Sequence, residues 1–284
     1  MTRPASLLLV IAALRGCVAL LSFGRALPRE VQLSAAPAPS SPSLDGLFGD
    51  WDEFHIRQVS SVESLSFIDV PPPHRQRVGQ LSPSSSFTYG CRAYRSDKIR
   101  FARTITFTGQ GFNVFNLLIL PRPEVRLPLL GVDIVYLPKH HVVAIDFQPQ
   151  SSSPDYFQLD AYRHHSEVFE RWRSRYNDSV LPMEVSRYFS PYAFWRKASH
   201  SDFGELPLYG DCFREYLSCY CDALSKTAFM GNGVPSEKDF QREYLEYRIR
   251  DDPAKGILIR CFGEEWTHEA LTKYFFPVDE EDQI

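Results

Sequence analysis

Five apolar runs between Phe87 and Phe147 constrain this chain more than any other feature, because the stretches joining them are too short to carry a crossover. They cover 87–93, 99–108, 113–120, 131–137 and 142–147, separated by Gly, Pro and Lys-His turns. Parallel neighbours need a dozen or more linking residues, so strands this close in sequence form an antiparallel meander. The rest is mostly helical. Residues 156–176 carry Tyr162, Val168, Phe169 and Trp172 on one stripe, and 211–226 and 236–250 keep the same period. Asp252-Pro253 reads as an N-cap followed by proline at the first helical position, and Gly263 is placed to stop that helix. Strands first and helices after predict an α+β arrangement or a layered α/β/α sandwich around an antiparallel sheet.

Ahead of the strands, residues 44–82 mix short helical stretches with the turn-rich 71–73, and the folded domain is expected to cover 44–284. Residues 1–43 read as targeting sequence and linker. Arg3 precedes an apolar run from Leu7 to Leu21 that Arg15 and Gly16 interrupt, which suits a signal h-region better than a membrane span. Beyond it, Phe23, Arg25 and Arg29 stand in a segment whose first acid is Glu30, and Ala, Pro and Ser then dominate to Ser43. This resembles the bipartite presequence of algae with red-lineage plastids, so the plastid stroma is the expected location. A plain secretory signal is the alternative.

Composition sets further limits. With 284 residues, 44% of them hydrophobic and 14% aromatic, the chain can bury a substantial core. A formal charge of -4 and basic residues without a long run argue against nucleic acid as a partner. Residues 1–32 hold four Arg and one Glu, so their removal moves the charge from -4 to -7. Cys212, Cys219 and Cys221 share one helix but form no CxxC pair, and they read as core thiols, with no metal site expected.

No dinucleotide fingerprint, Walker loop, GxSxG elbow or HExxH is present. Gly109 and Gly111 lie between two strands and read as a hairpin turn. His140, His141, His164 and His165 read as solvated side chains in a turn and on a polar helix face. The carboxylate that stands out is Asp133, between Val132 and Ile134 in an apolar strand. An unpaired ionised group there costs several kcal/mol, so Asp133 is hydrogen-bonded, neutral through a raised pKa, or facing a polar ligand cavity. Structural and functional roles both stay open on the strand pattern alone. Asp146, in a second apolar strand, reads as structural, and Asp252 reads first as a helix cap.

Three motifs in order resemble the ferredoxin-dependent bilin reductases: Leu127-Pro-Leu-Leu-Gly-Val-Asp133-Ile-Val, Val143-Ala-Ile-Asp146-Phe-Gln-Pro149, and Arg250-Asp-Asp252-Pro-Ala-Lys-Gly with Phe262-Gly-Glu-Glu-Trp266. The resemblance covers residues 87–277. It implies a three-layer α/β/α sandwich that reduces linear tetrapyrroles through radicals, with reduced ferredoxin as electron donor and no tightly bound cofactor. It also implies that Asp133 and Asp252 flank the bilin and supply protons, with Asn116 as a bilin-facing polar group. One branch of the family carries a Glu/His pair for the outer vinyl group, and the matching positions here hold Thr104 and Asn116. Phe169-Glu-Arg-Trp-Arg173 and Tyr188-Phe-Ser-Pro191 with Trp195 are most similar to the branch that converts 15,16-dihydrobiliverdin to phycoerythrobilin. Implied partners are ferredoxin, that bilin and an earlier bilin reductase handing it over. A monomer with no membrane in its mature form is expected. The alternatives are reduction of biliverdin to 15,16-dihydrobiliverdin, another reductase of the family, or a bilin-binding chaperone or lyase that reduces nothing.

Overall fold

All eight strands described in the computed structural model pair antiparallel into one sheet. The described residues are 44–278, apart from 83–84, 110–112, 138–139, 152, 177–185, 200–204 and 231–234, so the expected presequence lies outside them. Five strands match the sequence reading: β3 (Ser85–Arg95), β4 (Ile99–Gly109), β5 (Asn113–Pro121), β6 (Leu129–Tyr136) and β7 (His140–Gln148). Three others extend the sheet. β1 (Ser66–Ile68) and β2 (Gln76–Ser82) share the outer edge of β3, and β8 (Phe194–Ser199) pairs with β7 at the far edge.

The central strand explains the layering. Every residue of β5 is buried, which requires cover on both faces of the sheet. Phe115, Leu117 and Ile119 join a core with Val132, Ile134, Val143 and Ile145, whereas Val114, Leu118 and Leu120 join another with Ile105, Phe107 and Val135. The two-residue alternation of a strand thus sorts one sequence into two cores.

On the first face lie α1 (Leu44–Ser60), α3 (Asp160–Arg173) and α4 (Leu206–Lys226). The expectation of short helical stretches from residue 44 is corrected here, since α1 is one helix of 17 residues. Phe48, Trp51, His55 and Val59 give it an inner stripe at helical spacing, all fully buried. Trp51 meets Phe115 edge-on at 5.6 Å between ring centroids and lies 6.0 Å from Phe213. Gly210 makes room for it, as a Cβ there would stand 3.0 Å from the indole nitrogen.

The second face is covered by α5 (Pro235–Asp251), α6 (Lys255–Phe262), α7 (Glu264–Glu269) and a π-helical turn (Ala270–Phe275). Gly263, at φ +90, breaks α6 from α7 where an L side chain would be strained. The short α2 (Pro72–Arg75) is tied to this layer: the Trp266 indole donates to the Pro73 carbonyl at 2.8 Å, and His74 stacks on Trp266 at 5.0 Å. The result is a three-layer α/β/α sandwich around an antiparallel sheet. Among the described residues no helix is long and apolar enough to cross a membrane.

The structure also corrects two histidines. His141 is 1% exposed and hydrogen-bonded to the Tyr209 hydroxyl at 2.9 Å, and His165 is fully buried, stacked on Phe147 at 4.1 Å. Cys212 and Cys221 are buried free thiols on α4, and Cys219 is a half-buried one.

Candidate active site

Register brings the first two predicted site residues together. Asn116 of β5 and Asp133 of β6 are direct cross-strand partners, and Ile105 of β4 lies opposite Asn116 on its other side. All three face the second helical layer. There they line a cleft of about 70 Å³ with Arg103 on the sheet and Arg248 and Asp252 above it. Asp252 opens the turn between α5 and α6, so the third predicted residue meets the other two.

Asp133 is half-buried, and it lines this cleft. Its Oδ1 accepts a short hydrogen bond from Asn116 Nδ2, which also donates to the Val132 carbonyl at 3.1 Å. Burial pushes the Asp133 carboxyl above the usual carboxylate range, against the pull of Arg248, Arg103 and the Asn116 hydrogen bond. A carboxyl with a raised pKa carries its proton at higher pH and can deliver it.

Asp252 is held differently. Its Oδ1 accepts from the Ala254 backbone N–H at 2.9 Å, and its Oδ2 accepts from Arg248 Nη2 at 3.1 Å. The helix-cap reading is corrected: α6 starts at Lys255 with Ala254 as its N-cap and no side-chain capping bond, so the Asp252 bond to Ala254 braces the turn before the helix, and a guanidinium partner is added. Neighbouring Asp251 pairs with Arg250 at 2.8 Å, and it does not line the cleft.

Two cations at the cleft were missed. Arg103 is 1% exposed, and burial lowers its pKa to about 10. Arg248 donates to the Tyr244 hydroxyl at 3.2 Å as well as to Asp252. Both carried a signal. Arg103 is a charged residue in an apolar strand, as Asp133 is, and Arg248 stands four residues before Asp252 on a helix.

Thr104 is not at this site. It points to the first helical layer, where its hydroxyl donates to Asp52 Oδ1 of α1 at 2.6 Å. On β4 the side chains that face the cleft are Arg103, Ile105 and Phe107.

Asp146 is structural, as its strand suggested. It is fully buried and accepts from the Ser190 backbone N–H at 2.7 Å and the Ser190 hydroxyl at 2.5 Å. Two motifs 44 residues apart thus hold one another. Burial raises its pKa to about 7, with the Ser190 hydrogen bonds opposing.

The chain after the π-helical turn closes one side of the cleft. Arg103 Nε donates to the Phe275 carbonyl at 3.3 Å, and Arg100 donates to the carbonyls of Pro277 and Val278 at 3.1 and 3.0 Å. The Phe276 ring centroid lies 5.3 Å from the Arg103 guanidinium carbon and 4.6 Å from that of Arg248. Phe276 is itself 1% exposed.

The family described as ferredoxin-dependent bilin reductase matches residues 54–277. A phycoerythrobilin:ferredoxin oxidoreductase of Prochlorococcus marinus subsp. pastoris is 33% identical over 201 residues, covering 67% of this chain and 75% of that protein. Another, from a Synechococcus species, is 30% identical over 240 residues, covering 80% of this chain and 92% of its own. Phytochromobilin synthase from tomato, solved in complex with biliverdin, shares the fold with a TM-score of 0.71 at 19% identity, over 84% of this chain and 85% of its own. The chain belongs to the ferredoxin-dependent bilin reductases.

Proposed function

We propose that this protein reduces the A-ring diene system of 15,16-dihydrobiliverdin to phycoerythrobilin, with single electrons from ferredoxin and protons from Asp133 and Asp252. The observation that carries the reading is the Asp133 carboxyl, raised by burial and open to a cleft that two guanidiniums also line. The names of the two cyanobacterial relatives favour this branch. Two reduced ferredoxins each give one electron, and two protons enter, so the bilin gains two hydrogen atoms and each ferredoxin is oxidised once. Arg103 and Arg248 offset the negative charge that each electron adds before its proton arrives. Asp133 is the first donor, because burial favours its neutral form. Asp252 acts after its bonds to Arg248 and Ala254 loosen.

The test is an anaerobic assay with reduced ferredoxin and either biliverdin or 15,16-dihydrobiliverdin, followed by product chromatography. Phycoerythrobilin from dihydrobiliverdin alone is expected. Consumption of biliverdin with dihydrobiliverdin untouched would assign the earlier step instead, and a bilin spectrum without reduction would leave a binding protein. Asp133→Asn should retain the shifted absorption of bound bilin while turnover falls by roughly 100-fold or more. Near-normal turnover in that variant removes Asp133 from the mechanism.

A further inference from the structure

Arg103 has no place in the chemistry so far beyond its charge. A buried guanidinium is costly unless its donors find acceptors. Nη1 finds two, the Asn116 backbone carbonyl at 3.3 Å and, through a short hydrogen bond, the Asn116 side-chain oxygen. Nε takes the Phe275 carbonyl.

The consequence lies in the asymmetry of an amide, which has one accepting end and one donating end. With its oxygen held by Arg103, Asn116 can offer Asp133 only N–H. If the amide turned over, its oxygen would face Asp133 and accept that acid's proton, keeping it from the substrate. The Val132 carbonyl opposes the turned amide from one end and Arg103 from the other. No partner of Asp133 Oδ2 is found among the described residues, so this is the oxygen left for a transferable proton.

We propose that Arg103 is a positioning residue that fixes the Asn116 amide with its N–H toward Asp133, so that the proton of Asp133 sits on Oδ2 and faces the bilin. This rests on Asp133 being the proton donor named above. The groups facing Asp133 are Arg103 from β4, Asn116 from β5, Tyr244 and Arg248 from α5, and Asp252 from the α5–α6 turn. Loss of Arg103 also removes one of two nearby cations, so Asp133 should hold its proton to higher pH while delivering it less often.

Arg103→Met is measured in the natural background and in Asn116→Ala. In the natural background kcat for the bilin should fall by roughly 10-fold or more, with bilin affinity little changed and the alkaline limb of the kcat profile moved up. In Asn116→Ala the same substitution should cost under roughly 3-fold, because the amide through which Arg103 acts is gone. An undiminished loss in that background overturns the proposal. So does a loss confined to bilin affinity, which would make Arg103 a ligand of a bilin carboxylate. Should Arg103→Met not fold, Arg103→Lys carries the same comparison: a lysine that reaches the Asn116 oxygen restores turnover. Loss in Arg103→Lys that is equal with and without Asn116 rejects the idea. Titration of the Asp133 carboxyl by carbon NMR, in the bilin-free protein, separates this inference from the functional reading. An upward shift in Arg103→Met supports the coupling whichever bilin is reduced, and no shift counts against it even if phycoerythrobilin forms.

Discussion

Arg103, Asp133 and Asp146 are charged residues inside apolar strands, and in sequence they look alike. Spacing marks all three but says nothing about partners, which come from 13 to 172 residues away. Asp133 has an oxygen left over, whereas both oxygens of Asp146 are occupied by Ser190. That difference separates the proposed donor from a scaffold residue. Thr104 shows the opposite hazard: neighbouring side chains of a strand point to opposite faces, and its hydroxyl meets Asp52 on the face away from the cleft. Asp146 also has a neighbour that sequence reading set in water. His165 Nε2 lies 3.7 Å from Asp146 Oδ1, and burial lowers the His165 pKa to about 3 while raising that of Asp146 to about 7. Near pH 5 the unfolded pair holds one proton, on the histidine, and the folded pair also holds one, on the aspartate. The two linkage effects therefore cancel. Replacing His165 with Phe leaves only the raised Asp146, whose stabilisation is complete below about pH 4 and is lost as pH rises to about 7, at up to roughly 1.4 kcal/mol per pH unit. Asp146→Asn leaves only the depressed His165, so stability should instead rise with pH between about 3 and 6.5. Denaturant midpoints from pH 4 to 7 read both slopes against the natural protein, and equal slopes in all three would refute the pairing.

Among the elements, the central ones were legible and the outer ones were not. β3 to β7 are apolar runs bounded by turn residues, and α3 to α6 keep the helical period over many residues. β2 and β8 lie at edges, with half-exposed or polar side chains, and they exist as strands because β3 and β7 offer backbone partners. No local pattern carries that information. α1 was legible in part: its apolar stripe is regular, but Gly49 and the acids between break the run. The stripe also determines how firmly α1 is held. Trp51→Ala empties the space between Phe48, Phe115 and Phe213 and should cost about 3–5 kcal/mol in urea unfolding. A loss under about 1 kcal/mol would mean that α1 is not docked through this residue.

At the scale of the molecule, the sheet separates two packed faces, and the cleft lies on the second. Large aromatics pack both faces, Trp51 and Phe115 on the first and Phe107 and Trp266 on the second, but only the second also holds Arg103, Asn116 and Asp133 around a cleft. The family could be recognised from motifs because Asp133 and Asp252 each sit in a run that the chain keeps contiguous. The size of the cleft could not, since it depends on where the chain beyond Phe275 comes to rest. At about 70 Å³ the cleft is well below the several hundred Å³ of pockets for ligands of moderate size. The strap of Phe275 to Val278, pinned by Arg100, Arg103 and the Phe276 ring, should make association a gated event. Stopped-flow mixing should show a binding rate that levels off as bilin concentration rises, the plateau being the rate of strap release. Phe276→Ala, by removing ring contacts worth about 1–2 kcal/mol, should lift that plateau by roughly tenfold. A rate that stays linear in bilin concentration would show an open door. With a gate, the enzyme's clock starts when the strap lets go, before ferredoxin arrives.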